Sequence, residues 1–121
     1  MSALVWAGLA GAGGLGAIAR FLLDGAVSAR AGRALPFGTL AVNVSAAFVL
    51  GLVAGADVGG DALRLAGTGF VGAYSTFSTW MLESHRLVEE GELRAAALNV
   101  AGSLVLGFGA VALGRWAGGG L

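Results

Sequence analysis

The residues with chemistry to offer are few and uncharged. Between Gly72 and Trp80 the chain reads GAYSTFSTW, placing four hydroxyl side chains (Ser75, Thr76, Ser78 and Thr79) within five positions. Asn43 lies in TLAVNVSAAFVLGLVAG, and Asn99 in NVAGSLVLG with Ser103 four residues on. Hydroxyls and amides donate and accept hydrogen bonds without changing charge. They suit coordination of a small solute rather than proton chemistry. Cys is absent, which removes thiolate nucleophiles, disulfides and Cys-based metal sites. His85 is the one His, so no multi-His metal site forms within one chain. No carboxylate pair falls in an apolar stretch, and no phosphate-binding loop is present. The pattern argues against an enzyme. A net charge of zero with dispersed Arg leaves no footprint for nucleic acid.

The elements that position these residues are apolar. The 121 residues fit one domain. Hydrophobic residues make up 57% and charged residues 12%, against about 25% charged in a soluble domain. That is too few polar residues to cover the surface of so small a soluble core, and the mean hydropathy of +0.85 agrees. Four apolar stretches emerge, at about 3–25, 37–56, 65–82 and 95–113. About 20 residues cross a bilayer core, so the chain reads as an all-α integral membrane protein with four transmembrane helices. The opening MSALVWAGLAGAGG has no basic n-region and reads as the first span rather than a cleaved signal peptide. Arg30, Arg33 and Pro36 mark the first loop, and Asp57, Gly59, Gly60, Asp61 and Arg64 the second. Glu83 to Arg94, with His85, Arg86, Glu89, Glu90 and Glu92, reads as the third loop. Arg30, Arg33, Arg86 and Arg94 face one side, joined by Arg20 if it snorkels that way, and Arg64 and Arg115 the other. This lean toward external termini is small enough to allow insertion either way up.

The third stretch is unlike an ordinary lipid-facing helix. Gly67, Gly69 and Gly72 weaken helical preference, and Ser and Thr can bond freed carbonyls. A helix broken around Gly72 to Ser75 is predicted. The alternative is a continuous helix whose Ser and Thr bond back to their own carbonyls. Broken helices at membrane depth use free carbonyls for cations and free N–H groups for anions. The other stretches carry small residues at four-residue spacing under a polar head: Asn43, Ala47, Gly51, Gly55; Asn99, Ser103, Gly107; and Gly8, Ala12, Gly16 ending at Arg20. Each is a helix-packing face taken singly; together they suggest a polar route between packed helices. Asp24 stands one turn from Arg20 and is placed to pair with it, while Glu83 reads as a snorkelling end residue. Phe77 and Trp80 share a helix face, and aromatic ring edges are positive. Such an edge beside hydroxyls can host a small anion without a full charge that would hold it too tightly.

On GGLGAIARF from Gly13, PFGTLAVN from Pro36, GFVGAYSTFSTW from Gly69 and NVAGSLVLG from Asn99, the chain resembles the Fluc family of fluoride channels, also called CrcB proteins. The segments occur in family order, one per helix. The resemblance implies an antiparallel, dual-topology dimer with two fluoride pores and a central sodium ion. It implies sodium on the backbone carbonyls of Gly72 and Ser75, and Asn43 as a pore-lining donor. It implies Phe77 and Trp80 as ring edges facing fluoride. Ser78, Thr79 and Ser103 then belong to or flank a polar track, with Asn99 near one end and Arg20 closing the first helix. Position 80 holds Trp where the family usually has Phe, and Tyr74 and Ser75 replace commoner small apolar and Thr choices. The function implied is passive fluoride export across the inner (plasma) membrane of a prokaryote, by a homodimer or by paired different subunits. Two rivals stand beside it. A proton-coupled drug exporter needs a membrane-embedded acid, and the first stretch has none before Asp24. A non-conducting subunit that only assembles with a partner is the other.

Overall fold

The computed structural model describes residues 2–32, 35–56 and 59–119. Arg33 and Asp57, read above as loop markers, lie outside them. The elements are α1 (Ala3–Ala31), α2 (Phe37–Gly55), α3 (Gly60–Leu63), a π-helical segment (Arg64–Val71), α4 (Gly72–Tyr74), α5 (Ser78–Glu89) and α6 (Leu93–Ala117). Three of them, α1, α2 and α6, are long and apolar enough to cross a membrane. The helix α1 begins on Ser2, whose Oγ accepts the Val5 N–H at 3.2 Å, an N-cap that satisfies an orphan donor. It ends at Gly32, whose φ of 80° suits glycine.

The third apolar stretch is two helical arms. From α3 through the π-helical segment to α4 the backbone stays helical, and then Ser75 turns extended at φ −76°, ψ 161°. The helix restarts at Ser78. The break therefore falls at residues 75–77, meeting the C-terminal end of the predicted span at Ser75 and running two residues past it. Gly72 remains helical because its N–H still reaches the Gly67 and Gly69 carbonyls. The second arm also runs on to Glu89, so His85, Arg86 and Glu89 are exposed helical residues rather than loop. The turn into α6 is only Glu90–Glu92. There Gly91 at φ 78° lets the Gly91 and Glu92 amides donate back to the Val88 and Leu87 carbonyls, a Schellman closure. Arg94 sits in the first turn of α6, and Arg30 in the last turn of α1.

Packing explains why the chain breaks there. The first arm lies against α1 and the second against α6, while α2 and α6 form the closest pair. Glycine makes that pairing possible. A Cβ on Gly51 or Gly55 would overlap the Val111 or Arg115 carbonyl oxygen, and one on Gly114 or Gly118 would overlap that of Phe48 or Leu52. Backbones this close gain van der Waals contact that lipid cannot supply. The packing face of α6 is thus Ala110, Gly114 and Gly118. Gly107, which ends the stripe read from the sequence, meets open space. On α1, Gly16 packs on the Phe70 carbonyl and Gly8 against Leu65. The small core is Val42, Ala46, Val71 and Tyr74. Tyr74 stacks on Phe70 at 5.6 Å, and its hydroxyl hydrogen-bonds to Ser45 Oγ at 2.7 Å. Outside it, Leu4, Trp6, Leu15, Phe21, Val105 and Phe108 are exposed, a surface made for lipid or protein rather than water.

Candidate functional site

At the break, Asn43 of α2 serves both backbone groups of Thr76. Its Nδ2 donates to the Thr76 carbonyl at 2.8 Å, and its Oδ1 accepts the Thr76 N–H at 2.9 Å. A primary amide is the one side-chain type that reproduces a peptide neighbour in this way. An interrupted helix inside an apolar layer must satisfy its backbone from elsewhere in the protein. Asn43 does this and, among the described residues, keeps one N–H in reserve. Thr76, which is buried, is the residue the sequence reading left out of the site. Its Oγ1 accepts the Thr79 N–H at 3.2 Å, capping the restarted helix. The legible signal was a Thr three residues ahead of Thr79 at a helix start.

These side-chain bonds divert donors from particular carbonyls. In an α-helix the Gly72 and Ser75 carbonyls would accept from the amides four residues on, Thr76 and Thr79. The first amide is bound to Asn43 and the second to Thr76 Oγ1. Gly72 is exposed and Ser75 half-buried, so both carbonyls lie near the subunit surface. On the other side of the break, α5 starts with amides that have no preceding turn to accept them. One end of the break therefore favours cations and the other anions.

Phe77 and Trp80 meet edge to face, with centroids 5.6 Å apart at 73°. With Asn43, Ala47, Leu50, Ser75 and Thr76 they line a cavity of about 290 Å³. The Trp80 indole N–H points to α6, donating to the Asn99 carbonyl at 3.3 Å. Asn99 Nδ2 donates to Ser84 Oγ, and Ser84 Oγ to the Trp80 carbonyl, each at 2.8 Å. Ser84 is a second buried polar residue that the sequence reading assigned no role, being set among the charges of LESHR. Ser78 is exposed at the start of α5.

Arg20, Asp24, Thr39, Thr76 and Thr79 border a separate cavity of about 210 Å³. The ion pair anticipated between Arg20 and Asp24 is absent among the described residues; Asp24 accepts from Ser28 Oγ at 3.3 Å instead. Ser103 and Asn99 border a void of about 50 Å³ beside Pro36 and Leu40. Thr39 Oγ1, Ser103 Oγ and Glu83 Oε1 are buried with no hydrogen-bond partner among the described residues. Glu83 lines a cavity of about 360 Å³ with Ser28, Arg86 and Glu90, so it faces into the protein rather than simply reaching for the headgroups.

Three long apolar helices with little buried surface, packed around an element whose break is held by polar side chains, define a multi-pass membrane protein. Residues 6–115 match the family described as CrcB-like protein, Camphor Resistance (CrcB). The chain is 54% identical over 111 residues to a protein of Mycolicibacterium paratuberculosis named Fluoride-specific ion channel FluC 2, covering 92% of this chain and 91% of that one. It is 48% identical over 116 residues to a protein of Mycobacterium tuberculosis with the same name, covering 96% and 92%. A Geobacter sulfurreducens protein named Fluoride-specific ion channel FluC is 47% identical over 111 residues, covering 88% and 86%. The chain belongs to the CrcB (FluC) family, whose members named here are ion channels and not enzymes.

Proposed function

We propose that the chain is a subunit of a fluoride-selective channel that lets fluoride leave the cytoplasm passively across the inner (plasma) membrane of a prokaryote. One observation carries this beyond family membership: Asn43 pins the helix break at Thr76 and leaves anion- and cation-favouring backbone ends side by side. Fluoride is small and strongly hydrated, so a dry pathway must replace its water with many donors. The spare Asn43 N–H, the hydroxyls of Ser78, Thr79 and Ser103, and the edges of Phe77 and Trp80 supply them. Arg20 adds positive potential at the close of the polar stripe, and Asn99 lies at the α6 end of the track. No donor except Arg20 is a full charge, which favours release as well as binding.

In this proposal the two arms of the third element together make a fourth crossing, and two subunits associate antiparallel to form two pores. The Gly72 and Ser75 carbonyls are hard oxygen donors whose helical partners are diverted, and they suit a hard cation. Two such donors near the surface of one subunit make half a coordination shell, which fits a structural sodium ion shared with a second copy. The ion would tie the two breaks together.

Growth is the test. The chain, expressed in a bacterium stripped of its own fluoride exporters, should restore growth in millimolar fluoride without help from a second family member. Failure from a well-expressed, membrane-inserted protein would contradict the self-sufficient channel. Rescue only on co-expression of a second family subunit would favour the paired-subunit alternative.

A further inference from the structure

Three hydrogen bonds close a ring between α5 and α6: Trp80 Nε1 to the Asn99 carbonyl at 3.3 Å, Asn99 Nδ2 to Ser84 Oγ at 2.8 Å, and Ser84 Oγ to the Trp80 carbonyl at 2.8 Å. Ser84 and Asn99 are 6% and 7% exposed, so the ring is shielded from competing water. The indole N–H is the only donor on a Trp side chain. Bound to the Asn99 carbonyl, it is withdrawn from any solute on the Phe77 side. What Trp80 has left to offer is its C–H rim, a positive edge of the kind a phenyl ring presents. Because Phe77 meets that ring at 73°, the orientation of the indole also sets the geometry of the aromatic pair.

We infer that Ser84 and Asn99 are positioning residues for Trp80: they turn its N–H into α6 and leave only its C–H edge toward the conduction path. This rests on the fluoride-channel proposal, in which ring edges meet the anion. It assigns the last helix control over the aromatic pair. The indole is tied back so that it behaves as a simple aromatic edge. Ser84 then matters to conduction through the indole, and its influence disappears when the indole is absent.

The test reads the indole directly. Trp6 and Trp116 are exposed, and replacing both with Phe leaves Trp80 as the only indole. In protein carrying ¹⁵N-tryptophan in detergent micelles, Ser84→Ala should move the Trp80 N–H resonance and speed its exchange with D₂O. Ser84→Thr, which keeps the hydroxyl, should restore both. Fluoride efflux from liposomes should fall about fivefold in Ser84→Ala, the scale of one lost hydrogen bond. In a Trp80→Phe background the same change should alter efflux less than about twofold by the same scale. An unmoved resonance in Ser84→Ala would overturn the inference. So would an equal loss of efflux in both backgrounds, which marks a merely structural role, or complete loss in Trp80→Phe alone, which would mean the N–H acts on the ion. If the unmodified protein carries no fluoride, the channel proposal fails, while the indole resonance still decides whether Ser84 positions Trp80.

Discussion

Asn43 and Thr76, 33 residues apart in sequence, form a two-point pair in which one side-chain amide satisfies both the N–H and the C=O of one peptide position, at 2.9 and 2.8 Å. Helix α2 thereby fixes where the third element breaks. Ser75 can be extended because the next residue is held from outside the helix.

Replacing Asn43 with Asp retains an acceptor for the Thr76 N–H but sets a carboxylate oxygen against the Thr76 carbonyl. One unsatisfied buried group costs about 1–3 kcal/mol. Asn43→Asp should lower the unfolding midpoint in detergent and abolish fluoride flux, with the size-exclusion elution of the unmodified protein retained. Flux equal to the unmodified protein would remove Asn43 from the site.

Phe77 is 70% exposed on the isolated subunit, so little of the subunit's own stability depends on it. Phe77→Ile keeps an apolar side chain and loses the ring edge. Efflux should drop to the protein-free background while thermal unfolding of the subunit barely shifts. Retained flux would mean the ring edge does not meet the ion.

Two glycines on one helix should respond oppositely to the same change. Gly114→Ala drives a Cβ into the Phe48 carbonyl, whereas Gly107→Ala enters open space. Overpacking typically costs about 1–3 kcal/mol, while Ala in a free helical position gains about 0.5–1 kcal/mol over Gly. Thermal unfolding should therefore separate the two variants in sign, Gly114→Ala falling and Gly107→Ala holding or rising.

Removing sodium tests the carbonyl pair at Gly72 and Ser75. Protein purified and reconstituted entirely in N-methylglucamine salts should lose flux and regain it when sodium is returned. Flux unaffected by exhaustive sodium exchange would contradict a structural role for the ion.

Much of this was legible in the sequence, for physical reasons that can be named. Composition alone marks the apolar helices, and the cluster from Ser75 to Thr79 marks the break, because hydroxyls crowd an apolar stretch only where backbone needs partners. The break starts at the C-terminal end of the predicted span and runs two residues past it, since Gly72 remains helical through its bond to Gly67 and only the long-range bond from Asn43 selects Thr76. The particular roles of Thr76 and Ser84 are set by partners on another turn or another helix, which spacing along the chain does not show. The Gly114–Gly118 face continues the Asn99, Ser103, Gly107 stripe along the same side of α6, since seven residues make about two turns, but the close backbone approach is made at Gly114 and Gly118 while Gly107 meets open space. The extension of α5 to Glu89 was hidden by charge, because a helix leaving the apolar layer reads like a loop.

The most direct test of the central claim is ion efflux from liposomes containing only this purified protein, followed by a fluoride electrode and a chloride electrode after a potassium ionophore is added. The account predicts rapid fluoride efflux with chloride retained. No fluoride efflux from protein shown to be a folded dimer, or equal release of both ions, would contradict it.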